Sequence, residues 1–147
     1  MTATTPPLTR YLGTAERTLR ALLEQLSDEA GLSFPEWTTL VVLDTAGPLG
    51  RDELVRQQVA GRVAGEALAA ASIDDLVSSG LIASAGDDDP RLSLTAAGEV
   101  VFRPLRQTVT RITDDLYGDL PPTDLAATRR TLEEITRRAT AHLAATA

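Results

Sequence analysis

The chain has 147 residues, 43% hydrophobic and 24% charged, which suits one globular domain with a substantial core. Only 3% are aromatic, which excludes a stacking platform for single-stranded nucleic acid and leaves aliphatic and alanine packing to fill the interior. The net charge is −7 and all 14 basic residues are Arg; with no Lys and no Cys, a phosphate-cradling lysine, a Schiff base, a disulfide framework and thiol chemistry are excluded.

The opening MTATTPP is short, polar and Pro-ended, and residues 1–7 are expected to be disordered. It lacks the basic start and apolar stretch of a secretory signal, and no run of about 18 apolar residues occurs, so no membrane span is expected and a cytoplasmic location is. From Leu8, the apolar residues Leu8, Leu12, Ala15, Leu19, Leu22 and Leu26 step by three or four, which predicts a long amphipathic helix ending near Gly31. A second helix starts at SFPEWTTLVVL, where Ser33 and Glu36 have capping-box spacing and Pro35 suits the first turn. TAGPLG breaks it, RDELVRQQVAG is a short third helix, and Gly61 and Gly65 bracket a turn before a fourth, GEALAAASIDDLVSS, which runs to Gly80.

Leu81–Ala83 and Leu92–Leu94 are short apolar runs that predict a small hairpin, with Ala85–Pro90 and Ala96–Gly98 as turn material. EVVFRPLRQTVTRITDDLYGDL is helical, with a candidate interruption at Pro104. Pro-Pro and a Thr/Asp cap then restart a last helix. The expected fold is mainly α with a small β-hairpin, a winged helix-turn-helix lobe at about 33–98 between N- and C-terminal helices.

The junction IDDLVSSGLIASAGDDDPRLSLTAAG resembles the MarR family of transcriptional regulators. The matching pieces are Leu76, Gly80–Leu81–Ile82, the hairpin, Leu94–Thr95 and Gly98, with SFPEWTTLVVL and GPLGRDELV upstream. The resemblance covers nearly the whole chain from Leu8, and implies one domain over 8–147 with dimerisation helices at about 8–30 and 99–144. It implies a homodimer built from the first and last helices, Leu8–Ala30 and Leu125–Ala144, that binds double-stranded DNA in response to a ligand. The fourth helix is then the reading helix, with Ala67, Leu68, Ala71 and Ser72 as groove candidates. Arg51, Arg56 and Arg62 are phosphate-backbone candidates, and Arg91 is the minor-groove candidate at the wing.

The residues themselves complicate that expectation. At 100° per residue, Ala69, Ile73, Leu76 and Val77 face the core, leaving Ala67, Leu68, Ala71, Asp74, Asp75 and Ser78 outward. Ala and Leu suit thymine methyls and Asp suits cytosine N4, but no Arg is there for the common guanine contact. The helix-turn-helix is a few residues longer than usual, through AGRVAG. The wing is short, with Asp87, Asp88 and Asp89 at its tip. From Ser33 to Gly98, four Arg face ten carboxylates, net −6, which opposes phosphate binding at ordinary salt.

A second reading therefore stands beside the regulator: the same scaffold without duplex recognition, serving as a small-molecule or partner-binding protein. The cleft that MarR-like dimers have between dimer helices and winged lobe is one in which Tyr11, Phe34, Trp37 and Phe102 are candidate lining residues. Arg106 is the candidate partner for a small aromatic or anionic ligand. Core anchoring is the competing role for these aromatics, for Phe34 and Trp37 above all. An enzyme is not expected: Asp74–Asp75 and Asp114–Asp115 are paired acids of the kind found on solvated helix faces, no nucleophile–base pair is evident, and His142 stands alone. No cofactor and no metal are expected.

Overall fold

The structure, a computed structural model, describes residues 7–147, so the expectation for the opening segment lies outside the described residues except at Pro7. The elements follow the order read from the sequence: α1 (Leu8–Glu29), α2 (Phe34–Ala46), α3 (Arg51–Ala60), α4 (Glu66–Ser78), β1 (Ile82–Gly86), β2 (Asp89–Leu94), α5 (Ala96–Tyr117) and α6 (Pro122–Ala145). The chain forms two compact units, one running to Val109 and the other from Thr110, with α5 beginning in the first and ending in the second.

In the first unit, α2 starts as its sequence dictates. Ser33 Oγ accepts from the Glu36 backbone N–H at 3.2 Å, and Glu36 Oε1 accepts from the Ser33 N–H at 2.9 Å. Two donors that the helix leaves orphaned are thereby satisfied. Ser33→Ala is expected to cost about 1 kcal/mol, read as a lower urea midpoint at unchanged slope. From this start α2 buries Trp37, Leu40 and Leu43 against Leu54 of α3, Ile73 and Leu76 of α4, Ile82 and Leu92 of the hairpin, and Phe102 and Leu105 of α5. Trp37 and Phe102 stack with ring centroids 5.3 Å apart and planes tilted by 32°. A buried polar bridge crosses the same interface: Gln58 Nε2 donates to the Pro35 carbonyl at 3.1 Å and to Thr39 Oγ1, which itself donates to Pro35 O at 3.0 Å.

The hairpin is longer than its apolar residues predict. β1 and β2 pair antiparallel, Ile82 with Leu94, Ala83 with Ser93, Ser84 with Leu92 and Gly86 with Asp89, with an irregularity between Ser84 and Gly86. Most of Ala85–Pro90, expected as turn, is therefore strand, and only Asp87–Asp88 turn the chain. Polar residues pair here because backbone hydrogen bonds suffice at an exposed wing. Leu49, ahead of α3, adds an isolated bridge to β2 that the sequence did not announce: its N–H donates to Leu92 O at 3.1 Å, and the Leu92 N–H donates to Leu49 O at 2.7 Å.

Ala96–Gly98, also expected as turn, is the first turn of α5. Thr95 explains it. Its Oγ1 accepts from the Gly98 N–H at 3.0 Å and donates to Gly80 O at 2.6 Å, capping α5 and tying it to the end of α4. Gly98 lies against the backbone there, where a Cβ would fall 2.1 Å from Leu81 O. Gly80 holds φ +76°, the left-handed value that lets α4 stop and β1 begin. Pro104 does not interrupt α5. Its missing N–H forfeits one bond, to the carbonyl of Val100, a residue 75% exposed.

The second unit contains the end of α5 and α6. No residue of α6 is buried, and Leu116, Tyr117, Leu120, Leu132, Ile135 and Leu143 are exposed. Tyr117, Leu125 and Leu132 line an apolar groove of about 610 Å³. Glu134 accepts from Arg137 and Arg138, and those two guanidinium groups hold its carboxyl down at about 2. Among the described residues no helix is long and apolar enough to cross a membrane.

Candidate nucleic-acid interface

α3, a turn and α4 form the helix-turn-helix. The turn runs from Gly61 to Gly65, and its left-handed residue is Arg62 at φ +58°, not a glycine. A side chain in that conformation costs about 1–2 kcal/mol. Arg62 is exposed and makes no ion pair among the described residues.

α4 presents Ala67, Leu68, Ala71, Asp74, Asp75 and Ser78 to the surface, the face expected from its periodicity. Two positions need correction. Ser72, expected at the groove, is 4% exposed and donates to Ala69 O at 2.7 Å, so it cannot reach a base. Val77, expected in the core, is 45% exposed. The buried arc is centred on Ala69, Ile73 and Leu76; Ser72 lies about 60° to one side of Ala69, inside the arc, and Val77 about 80° to the other, beyond it.

The lobe's other cations are already engaged. Arg51, the first residue of α3, donates from Nε to Asp74 Oδ1 at 3.1 Å and from Nη2 to Oδ1 and Oδ2 at 2.9 and 3.0 Å. Arg56 donates to Glu53 at 2.6 and 3.1 Å, and that contact, with one from Gln57, lowers the Glu53 pKa. At the wing, Arg91 donates from Nε to Asp89 Oδ1 at 2.9 Å and from Nη2 to Oδ2 at 2.7 Å. The pair lowers the Asp89 carboxyl and raises the Arg91 guanidinium, chiefly through those hydrogen bonds. Between α3 and α4 lies a groove of about 590 Å³ lined by Arg51, Val55, Arg56, Val59, Glu66 and Ala70. The face is thus apolar at its centre, with Arg side chains shared with carboxylates around it.

The expected ligand residues differ widely in burial. Trp37 and Phe102, 3% and 1% exposed, sit in the hydrophobic core of the first unit. Phe34 is half-buried beneath Arg20, whose guanidinium carbon lies 5.2 Å from its ring centre. Tyr11 stands 65% exposed on α1, and Arg106 is half-buried on α5. The Arg51–Asp74 pairing escaped sequence reading because a separation of 23 residues carries no periodic signal. The Thr95–Gly98 contact had one, the Thr-x-x-Gly spacing that follows the hairpin.

No family model and no curated protein matches the chain. Solved structures do. A MarR family transcriptional regulator from Silicibacter pomeroyi is 24% identical, covering 91% of this chain and 90% of its own, with a TM-score of 0.72. A MarR family protein of Mycobacterium tuberculosis, solved in complex with DNA, is 21% identical over 89% of this chain and 98% of its own, with a TM-score of 0.65. A structure of the same protein with p-aminosalicylic acid has 20% identity, coverage of 88% and 98%, and a TM-score of 0.65. The chain has the winged helix-turn-helix fold of MarR family regulators, with six helices and a two-stranded wing among the described residues.

Proposed function

We propose that the protein is a homodimeric, ligand-responsive DNA-binding transcriptional regulator of the cytoplasm, and not an enzyme. One observation carries this reading: α4 lies between the turn and the wing with a continuous exposed face of Ala67, Leu68, Ala71, Asp74, Asp75 and Ser78, the shape a major groove accepts. The M. tuberculosis structure with DNA supports it by fold. α1 and α6 supply the second copy's interface, and the apolar residues left exposed on α6 suit that role. In this dimer Arg62 and the paired Arg51 and Arg56 serve phosphates, and Arg91 serves the minor groove. Tyr11, Phe34 and Arg106 remain the proposed contacts of a small aromatic anion.

Selection from a randomised duplex library of about 30 base pairs tests the reading. Enriched sequences should carry two inverted half-sites roughly one turn apart. Arg91→Ala should weaken binding to them by roughly tenfold, read by fluorescence anisotropy. Absence of any enriched duplex at low salt defeats the reading.

A second reading has its own observation: three of the lobe's four Arg are paired to carboxylates of the same lobe. On that reading the scaffold binds a small molecule or partner and no duplex. A rise in melting temperature with salicylate, in a protein that enriches no DNA, selects it.

A further inference from the structure

The geometry points to Asp74 as the residue that sets duplex affinity, by competing with backbone phosphate for Arg51; this rests on the DNA-binding reading above. Of the lobe's three Arg–carboxylate pairs, two are local. Arg56–Glu53 lies within one helix and Arg91–Asp89 within one strand. Arg51–Asp74 alone joins the two helices of the helix-turn-helix, from the first residue of α3 to the outward face of α4.

Three hydrogen bonds of 2.9–3.1 Å engage both carboxylate oxygens and one edge of the guanidinium. That bidentate arrangement is the one a phosphate would take with the same Arg. The site favours an anion for a further reason: a cation at a helix N-terminus opposes the helix dipole and is stabilised by a negative partner. In the free protein Asp74 is that partner. A phosphate reaching Arg51 must displace a carboxylate that then stays beside it, so both pairing and repulsion act against binding. The pair is 46% and 61% exposed, and exposed pairs are weak, so it yields to a phosphate without disturbing the core.

Asp75 supplies the internal control. It is the adjacent acid on the same exposed face, with the same charge and no hydrogen bond to an Arg among the described residues. The test measures binding of a fluorescein-labelled, mixed-sequence duplex of about 30 base pairs between 50 and 200 mM salt. It compares the wild type, Asp74→Asn, Asp75→Asn, Arg51→Ala and the double variant Arg51→Ala/Asp74→Asn. Asp75→Asn should tighten binding roughly threefold by removing repulsion, and Asp74→Asn roughly tenfold with a log–log salt slope steeper by about 0.9. Arg51→Ala alone should weaken binding roughly threefold, because it leaves the Asp74 carboxylate without its partner beside the duplex. The double variant, whose net charge equals that of the wild type, should fall back to about the wild-type level.

Equal gains for Asp74→Asn and Asp75→Asn, with the Asp74→Asn gain the same in the Arg51→Ala background, would reduce Asp74 to one negative charge among others and overturn the inference alone. Absence of duplex binding by all five proteins at 50 mM salt would overturn the DNA-binding reading and the inference with it. Both side chains are exposed, so the variants should fold, and circular dichroism checks that they do.

Discussion

Phe102→Ala is expected to destabilise the protein by about 3–5 kcal/mol, a large share of the roughly 5–15 kcal/mol that holds a domain of this kind together. The side chain is 1% exposed and packs 5.3 Å from Trp37, joining the start of α5 to α2 at the centre of the first unit. With only two Phe, two Tyr and one Trp in the chain, alanine and leucine neighbours cannot close the space that an aromatic ring leaves. Phe102→Leu keeps much of the volume and should cost about 1.5 kcal/mol or less. Urea unfolding followed by the fluorescence of Trp37, the single tryptophan, measures both. A loss under about 1.5 kcal/mol for the alanine variant would return Phe102 to the cleft-lining role that the sequence suggested.

Gly98→Ala should cost at least about 3 kcal/mol, although it adds a single methyl group to a residue in a helix. Its Cβ would lie 2.1 Å from the Leu81 carbonyl oxygen and 3.0 Å from its carbon, and both are backbone atoms that cannot swing aside. Alanine ordinarily stabilises a helix relative to glycine by roughly 0.5–1 kcal/mol, so the sign of the effect separates steric conflict from helix propensity. The melting temperature should fall by roughly 6–12 °C. Gly65→Ser is the matched comparison. Gly65 is the N-cap of α4 with nothing within 4 Å of its would-be Cβ, and the substitution should move stability by less than about 0.5 kcal/mol. A Gly98→Ala protein as stable as the wild type would show that α5 does not seat against Leu81 as described.

These two residues also mark what the sequence could and could not disclose. Helix order, the capping box at Ser33 and Glu36 and the outward face of α4 were legible because each depends on spacing within one segment. Ser72 and Val77 were misplaced because a rotation of a few tens of degrees decides burial at the edge of a helix face, and only the packed neighbours fix that rotation. The bridge from Leu49 to Leu92 and the Arg51–Asp74 pairing span 43 and 23 residues and leave no periodic trace. The reach of the wing was underestimated because β2 carries Asp, Pro and Ser, which do not form the alternating apolar pattern of a half-buried strand. Phe102 and Trp37 could be read for a core or for a cleft, with the core favoured for Trp37, since an aromatic ring is apolar in either place.

The wing is fastened at its root and free at its tip. Leu49 grips Leu92, while Thr95 and Gly98 lock the root to Gly80 and Leu81; beyond Ser84 the strands carry only exposed or half-exposed side chains down to Asp87 and Asp88. Length and charge can therefore vary in one place without disturbing the core. The hairpin tip is the natural graft point of this scaffold, where a longer, arginine-bearing loop could be spliced in to give a new reach while the rest of the lobe is inherited unchanged.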